Sequence, residues 1–95
     1  MYLLKNKPLE ISSWYYQANG GKTEFILDSS EYKKLSIGQV NGNGGTMFVL
    51  GIASSTITLS KEADGYYDVT AYDQIMIRIS ASSYVQGTVN NIRLW

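Results

Sequence analysis

The sequence predicts an all-β chain that folds as one antiparallel two-sheet β-sandwich over residues 1–95. Apolar and polar residues alternate with a period of two along most of the chain, and β-branched and aromatic residues are frequent. Glycine-rich turns separate these segments. Residues 75–79 are the clearest strand, because three isoleucines fall on one face and Met76 and Arg78 on the other. An interior face built in this way belongs to a half-buried antiparallel sheet.

The alternating segments divide the chain into about eight short strands, the number expected for a jelly roll or a comparable two-sheet sandwich. No window of about ten residues shows the 3.6-residue period of an amphipathic helix. The predicted strands are residues 9–16, 24–27, 34–40, 46–53, 56–59, 66–69, 75–79 and 88–95.

Glycine and asparagine mark the connections between strands. Residues 19–21 (Asn-Gly-Gly) and 41–45 (Asn-Gly-Asn-Gly-Gly) are predicted as hairpins or exposed loops, because both residue types enter positive φ at low cost. Asp64 and Gly65 predict a further turn, and Pro8 suits a strand start or a sheet edge. Residues 41–45 lack the Lys-Ser/Thr pair of a phosphate-binding loop, so a hairpin tip is the preferred interpretation.

Composition restricts the function. The eight Lys and Arg balance the eight Asp and Glu, and the chain has neither Cys nor His. Disulfides, thiol nucleophiles, histidine bases and Cys/His zinc sites are therefore excluded. The zero net charge provides no basic surface for nucleic acid or anionic lipid. We expect a protein that is not an enzyme, with no cofactor, no catalytic metal and no nucleic-acid or membrane partner. A structural calcium among Asp64, Asp68 and loop carbonyls stays an open alternative.

The chain also lacks the usual transport signals. Residues 1–8 have only a brief apolar run before two lysines, so we expect no signal peptide. The longest apolar stretch, residues 47–53, is far shorter than the roughly 20 residues that span a bilayer. A domain of this size has a small core, which makes association with itself or with other proteins favourable.

An internal repeat is the most specific feature of the sequence. Residues 28–37 align without gaps on residues 68–77, with the shared pattern Asp, x, Ser/Thr, x, Tyr, x, x, Leu/Ile, x, Ile. Asp28 and Asp68 begin polar corners, in which Asp and Ser/Thr side chains bond nearby backbone N–H groups. Tyr32 and Tyr72 are expected to pack on the core, with the hydroxyl returning to the backbone. A catalytic or calcium-binding pair of acids is the less favoured interpretation, since neither Asp has a base or metal ligand beside it.

The corner followed by an alternating strand resembles the strand entries of small jelly-roll modules, such as carbohydrate-binding modules and the accessory domains of bacteriophage head and tail proteins. The resemblance covers residues 24–95 in outline, and residues 87–95 are similar to the closing strand of such modules. It implies a non-catalytic accessory module. In the phage case it implies a virion component, assembled in the host cytoplasm, that attaches to other structural proteins or to copies of itself.

The aromatic residues supply the candidate contact sites. Alternation places Tyr15 on one face of the first strand and Trp14 and Tyr16 on the other, and a two-layer sandwich cannot bury both faces. Either Trp14 and Tyr16 point outward, or a bulge at Ser12 and Ser13 reverses the faces and exposes Tyr15. The candidate contact residues are Trp14, Tyr16, Tyr66 and Trp95.

These aromatic side chains have two possible uses. They can anchor a protein partner, or they can stack on a sugar ring while amides in the predicted loops, such as Gln17, Asn43 and Gln86, bind its hydroxyls. Attachment to protein is the leading hypothesis, and a carbohydrate-binding module is the alternative. The interpretation that Trp14 merely caps the core also stays open.

Overall fold

Two long antiparallel strands run side by side through the whole protein in the computed structural model, which describes residues 8–95. These are β1 (Leu9–Asp28) and β6 (Gln74–Leu94), paired from Leu9 opposite Leu94 to Asp28 opposite Gln74. The N-terminal apolar run, on which the signal-peptide expectation depends, lies outside the described residues. Within residues 8–95 no helix is long and apolar enough to span a membrane.

Two shorter strands follow one another along the opposite edge of β6. β2 (Lys34–Gly42) pairs with the C-terminal half of β6, and β3 (Thr46–Ile52) pairs with its N-terminal half. β4 (Thr56–Leu59) extends the sheet beyond β3, and β5 (Tyr67–Asp68) extends it beyond β2. The strand β6 is thus the centre of one six-stranded antiparallel sheet.

The sheet folds over on itself at its middle. Trp14 and Phe25 both belong to β1, and their ring centroids are 5.2 Å apart, whereas a straight strand would separate the two residues by about 36 Å. The pairing of β1 with β6 shifts register between Asn19 and Gly21, and Gly20 and Gly21 have φ values of 72° and 96°. The result is a sheet nearly closed into a barrel.

This arrangement confirms the all-β prediction and corrects its details. Predicted strands 9–16 and 24–27 are one strand, and so are 75–79 and 88–95, so six strands replace about eight. Residues 19–21 form a bulge inside β1 rather than a hairpin, because positive φ at glycine bends the strand without ending it. Residues 43–45 link two strands that continue each other along β6, so they are not a hairpin tip either.

One core lies between the two facing halves of the sheet. The predicted interior isoleucines are confirmed, with Ile75 and Ile77 at 0% exposure and Ile79 at 1%. Each such side chain contributes about 1.5–3 kcal/mol through burial. The most deeply buried apolar residues come from both ends of the ribbon: Tyr16, Leu35, Val49, Val69, Ile75, Ile77, Ile79, Val89, Ile92 and Leu94.

The inward face changes at one row of the sheet. On β6, Val89 and Ile92 are both buried although they are three residues apart, which strict alternation forbids. Between them Asn91 adopts a left-handed conformation with φ 56°. Its neighbour on β2 is Gly38, where an added Cβ would lie 2.8 Å from the Cβ of Asn91. The reversal therefore depends on an asparagine that tolerates positive φ and on a glycine that leaves it room.

The two predicted corners adopt the same conformation. In the first, an Asp28 carboxylate oxygen accepts a hydrogen bond from the backbone N–H of Ser30 at 2.9 Å. In the second, Asp68 accepts one from the backbone N–H of Thr70 at 3.0 Å. These contacts are the ones that the repeated sequence pattern predicts, and they support the structural interpretation of both acids.

The corners lie against each other and join the two ends of the folded sheet. The N–H of Ser29 donates to the carbonyl of Asp73 at 2.9 Å, and the N–H of Val69 donates to the carbonyl of Lys33, also at 2.9 Å. These residues are 40 positions apart in the repeat, so the two bonds are related by an approximate two-fold axis. Each corner thereby fixes the other.

The corner tyrosines pack as predicted. Tyr32 and Tyr72 are partly buried against the core. The ring of Tyr72 lies on Gly51, where an added Cβ would be 2.6 Å from the ring carbons. The Ser29 hydroxyl donates to the Tyr72 carbonyl at 2.9 Å, which ties the second corner to the first. The return of the tyrosine hydroxyls to the backbone stays a prediction.

Gly38→Ala is expected to destabilise the protein by about 1–3 kcal/mol, because the new methyl group overlaps the Asn91 side chain. Asn91→Gly removes that side chain and keeps positive φ accessible, so it should reduce the cost of Gly38→Ala when the two are combined. Urea denaturation of the wild type, both single variants and the double variant measures the coupling. Additive effects would contradict the proposed contact.

The corners should also make stability depend on pH. Hydrogen bonds from Ser30 lower the pKa of Asp28, and those from Thr70 lower the pKa of Asp68, each relative to an ordinary value of 3.8. The stabilising contribution is therefore complete above that value and is lost as pH falls through the lowered folded-state pKa.

Thermal unfolding measured from about pH 6 to about pH 2 should show a steeper loss of stability in the wild type than in Asp28→Asn or Asp68→Asn. Glu31→Gln, which removes an exposed charge from the first corner, is the control and should keep the wild-type slope. Equal slopes in all four proteins would contradict this role of the corner acids.

Candidate functional site

The structure buries Tyr16 and half-buries Trp14, two of the predicted contact residues. Tyr16 is 1% exposed, and its hydroxyl donates to the Gly44 carbonyl at 3.4 Å. Gly87 leaves room for the phenol, since an added Cβ there would lie 2.7 Å from the hydroxyl. Trp14 is half-buried, with its ring stacked on Phe25 and packed against the core.

The reversal of faces explains this placement. Ile11 and Trp14 both pack on the core, so the change of face falls at Ser12 and Ser13, as the second of the two sequence alternatives required. Tyr15 is consequently outward and 57% exposed. In this fold Tyr16 is a core residue rather than a surface anchor, and Trp14 matches the interpretation of a residue that caps the core.

The other two predicted residues meet on the outer surface. The ring centroids of Tyr66 and Trp95 are 4.9 Å apart, and the rings meet edge to face at 83°. The guanidinium carbon of Arg93 lies 4.8 Å from the Trp95 centroid, and the Lys34 ammonium lies 5.5 Å from the Tyr66 centroid. We call these four side chains the aromatic–cation cluster. Tyr66 is 38% exposed, so the cluster is accessible.

Backbone hydrogen bonds hold Trp95 in place. Its N–H donates to the Lys34 carbonyl at 3.0 Å, and its carbonyl accepts from the N–H groups of Lys33 and Lys34 at 2.8 and 2.9 Å. Tyr66 is fixed by the turn before it, where Gly65 has φ 89° and Asp64 accepts the Tyr66 N–H at 3.0 Å. Main-chain hydrogen bonds therefore fix the backbone positions of both aromatic residues.

Carboxylates neutralise both cations of the cluster. Lys34 forms an ion pair with Asp64, and Arg93 Nε lies 3.4 Å from a carboxylate oxygen of Glu10. The hydrogen bond between Lys34 and Asp64 raises the pKa of Lys34 and lowers the pKa of Asp64, which also accepts the Tyr66 N–H. Both pKa values move away from neutrality, which suits fixed charges rather than proton transfer.

Two cavities flank the aromatic–cation cluster. The larger, of about 600 Å³, lies where the sheet reverses at Asn91 and is bordered by Arg93 and Glu10 together with Ser12 and Ser36. The smaller, of about 300 Å³, is bordered by Lys34, Asp64, Tyr66, Tyr67, Asp68 and Thr70. Arg93 of the cluster thus borders the larger cavity, and Lys34 and Tyr66 border the smaller one.

The corner acids do not form a second site. The carboxylates of Asp28 and Asp68 each accept hydrogen bonds from their own corner. Within residues 8–95, no group of three or more Asp, Glu, His or Cys side chains is placed to hold a metal ion.

Sequence reasoning named Tyr15, Gln17 and Gln86 but missed Tyr84, a surface residue beside them. Tyr84 is 43% exposed and lies near Tyr15, with Gln17 and Gln86 between them. The signal was present, because alternation from the buried Val85 and Val89 places Tyr84 and Gln86 on the outer face. One predicted strand ended at residue 79 and the next began at residue 88, so this alternation could not be used. It became informative once β6 was seen to continue through residues 80–88.

Comparison with protein-family models, with curated proteins and with solved structures gave no match to this chain. The resemblance of the corners to phage accessory domains and carbohydrate-binding modules therefore stays a hypothesis.

The aromatic–cation cluster can be checked by fluorescence. In a Trp14→Phe background Trp95 is the sole tryptophan, and Tyr66→Ala removes the ring that meets it edge to face. We expect a red-shifted emission and about twofold stronger quenching by acrylamide, since more of the indole contacts water. Tyr15→Ala in the same background is the control and should change neither quantity.

Proposed function

We propose that this protein is a non-catalytic attachment module, of the kind that phage-type virions carry as a head-decoration or tail-associated protein. Its contact surface with a structural protein partner is the aromatic–cation cluster. The single observation that carries the proposal is the exposed edge-to-face pair of Tyr66 and Trp95 with Arg93 on the tryptophan ring. The jelly-roll likeness of the two corners and a location in the virion are parts of the same proposal.

The composition of the cluster favours protein recognition. Trp, Tyr and Arg are the residue types that most often dominate the binding energy of protein interfaces. Here Trp95, Tyr66 and Arg93 are adjacent on the surface rather than scattered. A partner that supplies a complementary apolar groove would cover both rings.

Preorganisation adds to this argument. Immobilising one flexible side chain on binding costs about 0.5–1.5 kcal/mol. The edge-to-face contact with Tyr66 and the stacking of Arg93 already restrict the Trp95 side chain in the free protein. Less free energy is then lost to ordering this side chain on binding, and the affinity for a partner is correspondingly higher.

The ion pairs at the border of the cluster support specificity. Lys34 lies over the Tyr66 ring and Arg93 over the Trp95 ring. Both cations and their carboxylate partners remain partly solvent-exposed. Charged groups at the edge of an interface orient a partner and raise the association rate more than they raise affinity. The adjoining cavities provide space for side chains of that partner.

The experiment is co-expression of the chain with the structural proteins encoded beside its own gene, followed by affinity purification. The wild type should co-purify with one of these proteins, whereas Trp95→Ala and Tyr66→Ala should each weaken the complex by at least about tenfold. Light scattering on the purified chain across a concentration series shows whether the partner is a second copy.

Ile26→Ala is the matched control, because it removes an apolar side chain of similar exposure from the opposite half of the sheet. It should leave the complex intact. Retention of the complex by Trp95→Ala and Tyr66→Ala would exclude the cluster as the contact surface. Neighbouring genes that encode only glycan-degrading enzymes would count against the virion hypothesis.

A further inference from the structure

A second surface lies on the outer face of β1 and β6, between the bulge at Asn19 and the reversal at Asn91. Three consecutive outward rows contain Tyr15 opposite Thr88, Gln17 opposite Gln86, and Asn19 opposite Tyr84. Tyr15 and Tyr84 are 57% and 43% exposed. We call Tyr15, Gln17, Tyr84 and Gln86 the tyrosine–glutamine patch.

Hydrogen bonds fix the shape of this patch. The Tyr15 hydroxyl donates to Gln86 Oε1 at 2.7 Å, and the Tyr84 hydroxyl donates to the same oxygen at 2.8 Å. Gln17 Nε2 donates to the Tyr84 hydroxyl at 2.9 Å. The Gln86 backbone N–H in turn donates to Asn43 Oδ1 at 2.9 Å, which holds the centre of the patch to the β2–β3 connection.

These contacts determine how the rings lie. Tyr15 and Tyr84 start one row on either side of the Gln17–Gln86 row, a distance of roughly 7 Å each along the sheet. Their hydroxyls nevertheless reach one glutamine oxygen, so both side chains lean towards each other along the sheet. A ring that leans in this way turns one of its flat faces to solvent, which agrees with the high exposure.

The same network leaves polar groups free at the surface. Among the hydrogen bonds of residues 8–95, Gln86 Nε2 donates to no acceptor and Gln17 Oε1 accepts from no donor. The patch thus offers two flat aromatic faces together with an amide donor and an amide acceptor between them. This combination matches a sugar ring, which has an apolar face and a rim of hydroxyl groups.

Charge selects among sugars. Residues 11–21, 35–60 and 79–92 contain no Lys, Arg, Asp or Glu, and these segments include every residue of the patch and its neighbours on β2. Binding a sialylated, uronic or sulfated glycan would bury a charge without a partner, which is costly. A neutral glycan imposes no such cost.

We infer that the tyrosine–glutamine patch is a binding site for a neutral oligosaccharide, with Tyr15 and Tyr84 stacking on its rings and Gln17 and Gln86 binding its hydroxyls. This site is separate from the aromatic–cation cluster, because the reversal at Asn91 lies between Arg93 and Thr88 on β6. It does not depend on the proposed attachment to protein. A module with both surfaces binds a protein partner beside the corners and a glycan beside the bulge at Asn19.

The test is binding of the full chain to an array of immobilised neutral hexose oligosaccharides beside sialylated and sulfated ones, followed by calorimetric titration of the best neutral oligosaccharide. We expect neutral glycans to be retained and charged glycans to be rejected. Tyr15→Ala and Tyr84→Ala should each weaken the titrated affinity by at least about tenfold. Both residues are exposed, so the variants should keep the wild-type melting temperature.

Two further variants test whether binding depends on the orientation of the two rings and whether it is confined to this patch. Gln86→Ala keeps both rings but removes the oxygen that orients them, and it should also weaken binding. Tyr66→Ala removes an exposed tyrosine from the aromatic–cation cluster and should leave glycan affinity unchanged. Absence of binding to any neutral glycan, or equal binding by the wild type, Tyr15→Ala and Tyr84→Ala, would overturn the site. Retention of charged glycans alone would overturn its assignment to neutral sugars.

Discussion

The core of this protein exists because the β1–β6 pair folds over on itself. A flat pair of strands of about 20 residues would leave one apolar face in water, and it could not bury a core by itself. Bending at Gly20 and Gly21 brings the two halves face to face, so Trp14 reaches Phe25 on its own strand. The two corners then close the open end through reciprocal backbone bonds. Bend and corners together turn one long ribbon into an enclosed core.

The second decisive feature is the reversal of faces at Asn91. The left-handed conformation of Asn91 exchanges the inner and outer faces of β6. Gly38 on the neighbouring strand β2 leaves room for the Asn91 side chain. Without this reversal, strict alternation counted from the inward Ile11 would place Tyr15 inside the core and Tyr16 on the surface. The reversal therefore decides which aromatic rings stabilise the core and which remain available for binding. It also creates the larger cavity beside Arg93.

The two candidate surfaces differ in chemistry because charge is unevenly distributed along the ribbon. The aromatic–cation cluster contains Lys34 and Arg93, each paired with a carboxylate. The tyrosine–glutamine patch lies within segments that contain no charged residue. A surface with fixed ion pairs suits orientation of a protein partner, whereas an uncharged surface of amides and phenols suits a neutral hydroxylated ligand.

Local alternation and local hydrogen bonds were enough to predict the all-β class, the inward isoleucines of residues 75–79, the repeated corners and the alternatives at Ser12 and Ser13. They could not show that residues 19–21 bend a strand rather than end it, since glycine permits both. The pairing of distant strands was needed to show that Tyr16 is buried, that Tyr66 meets Trp95, and that Tyr15 and Tyr84 share one glutamine. Those pairings join residues up to about 70 positions apart, and strand register between distant segments is set by the packing of the whole core.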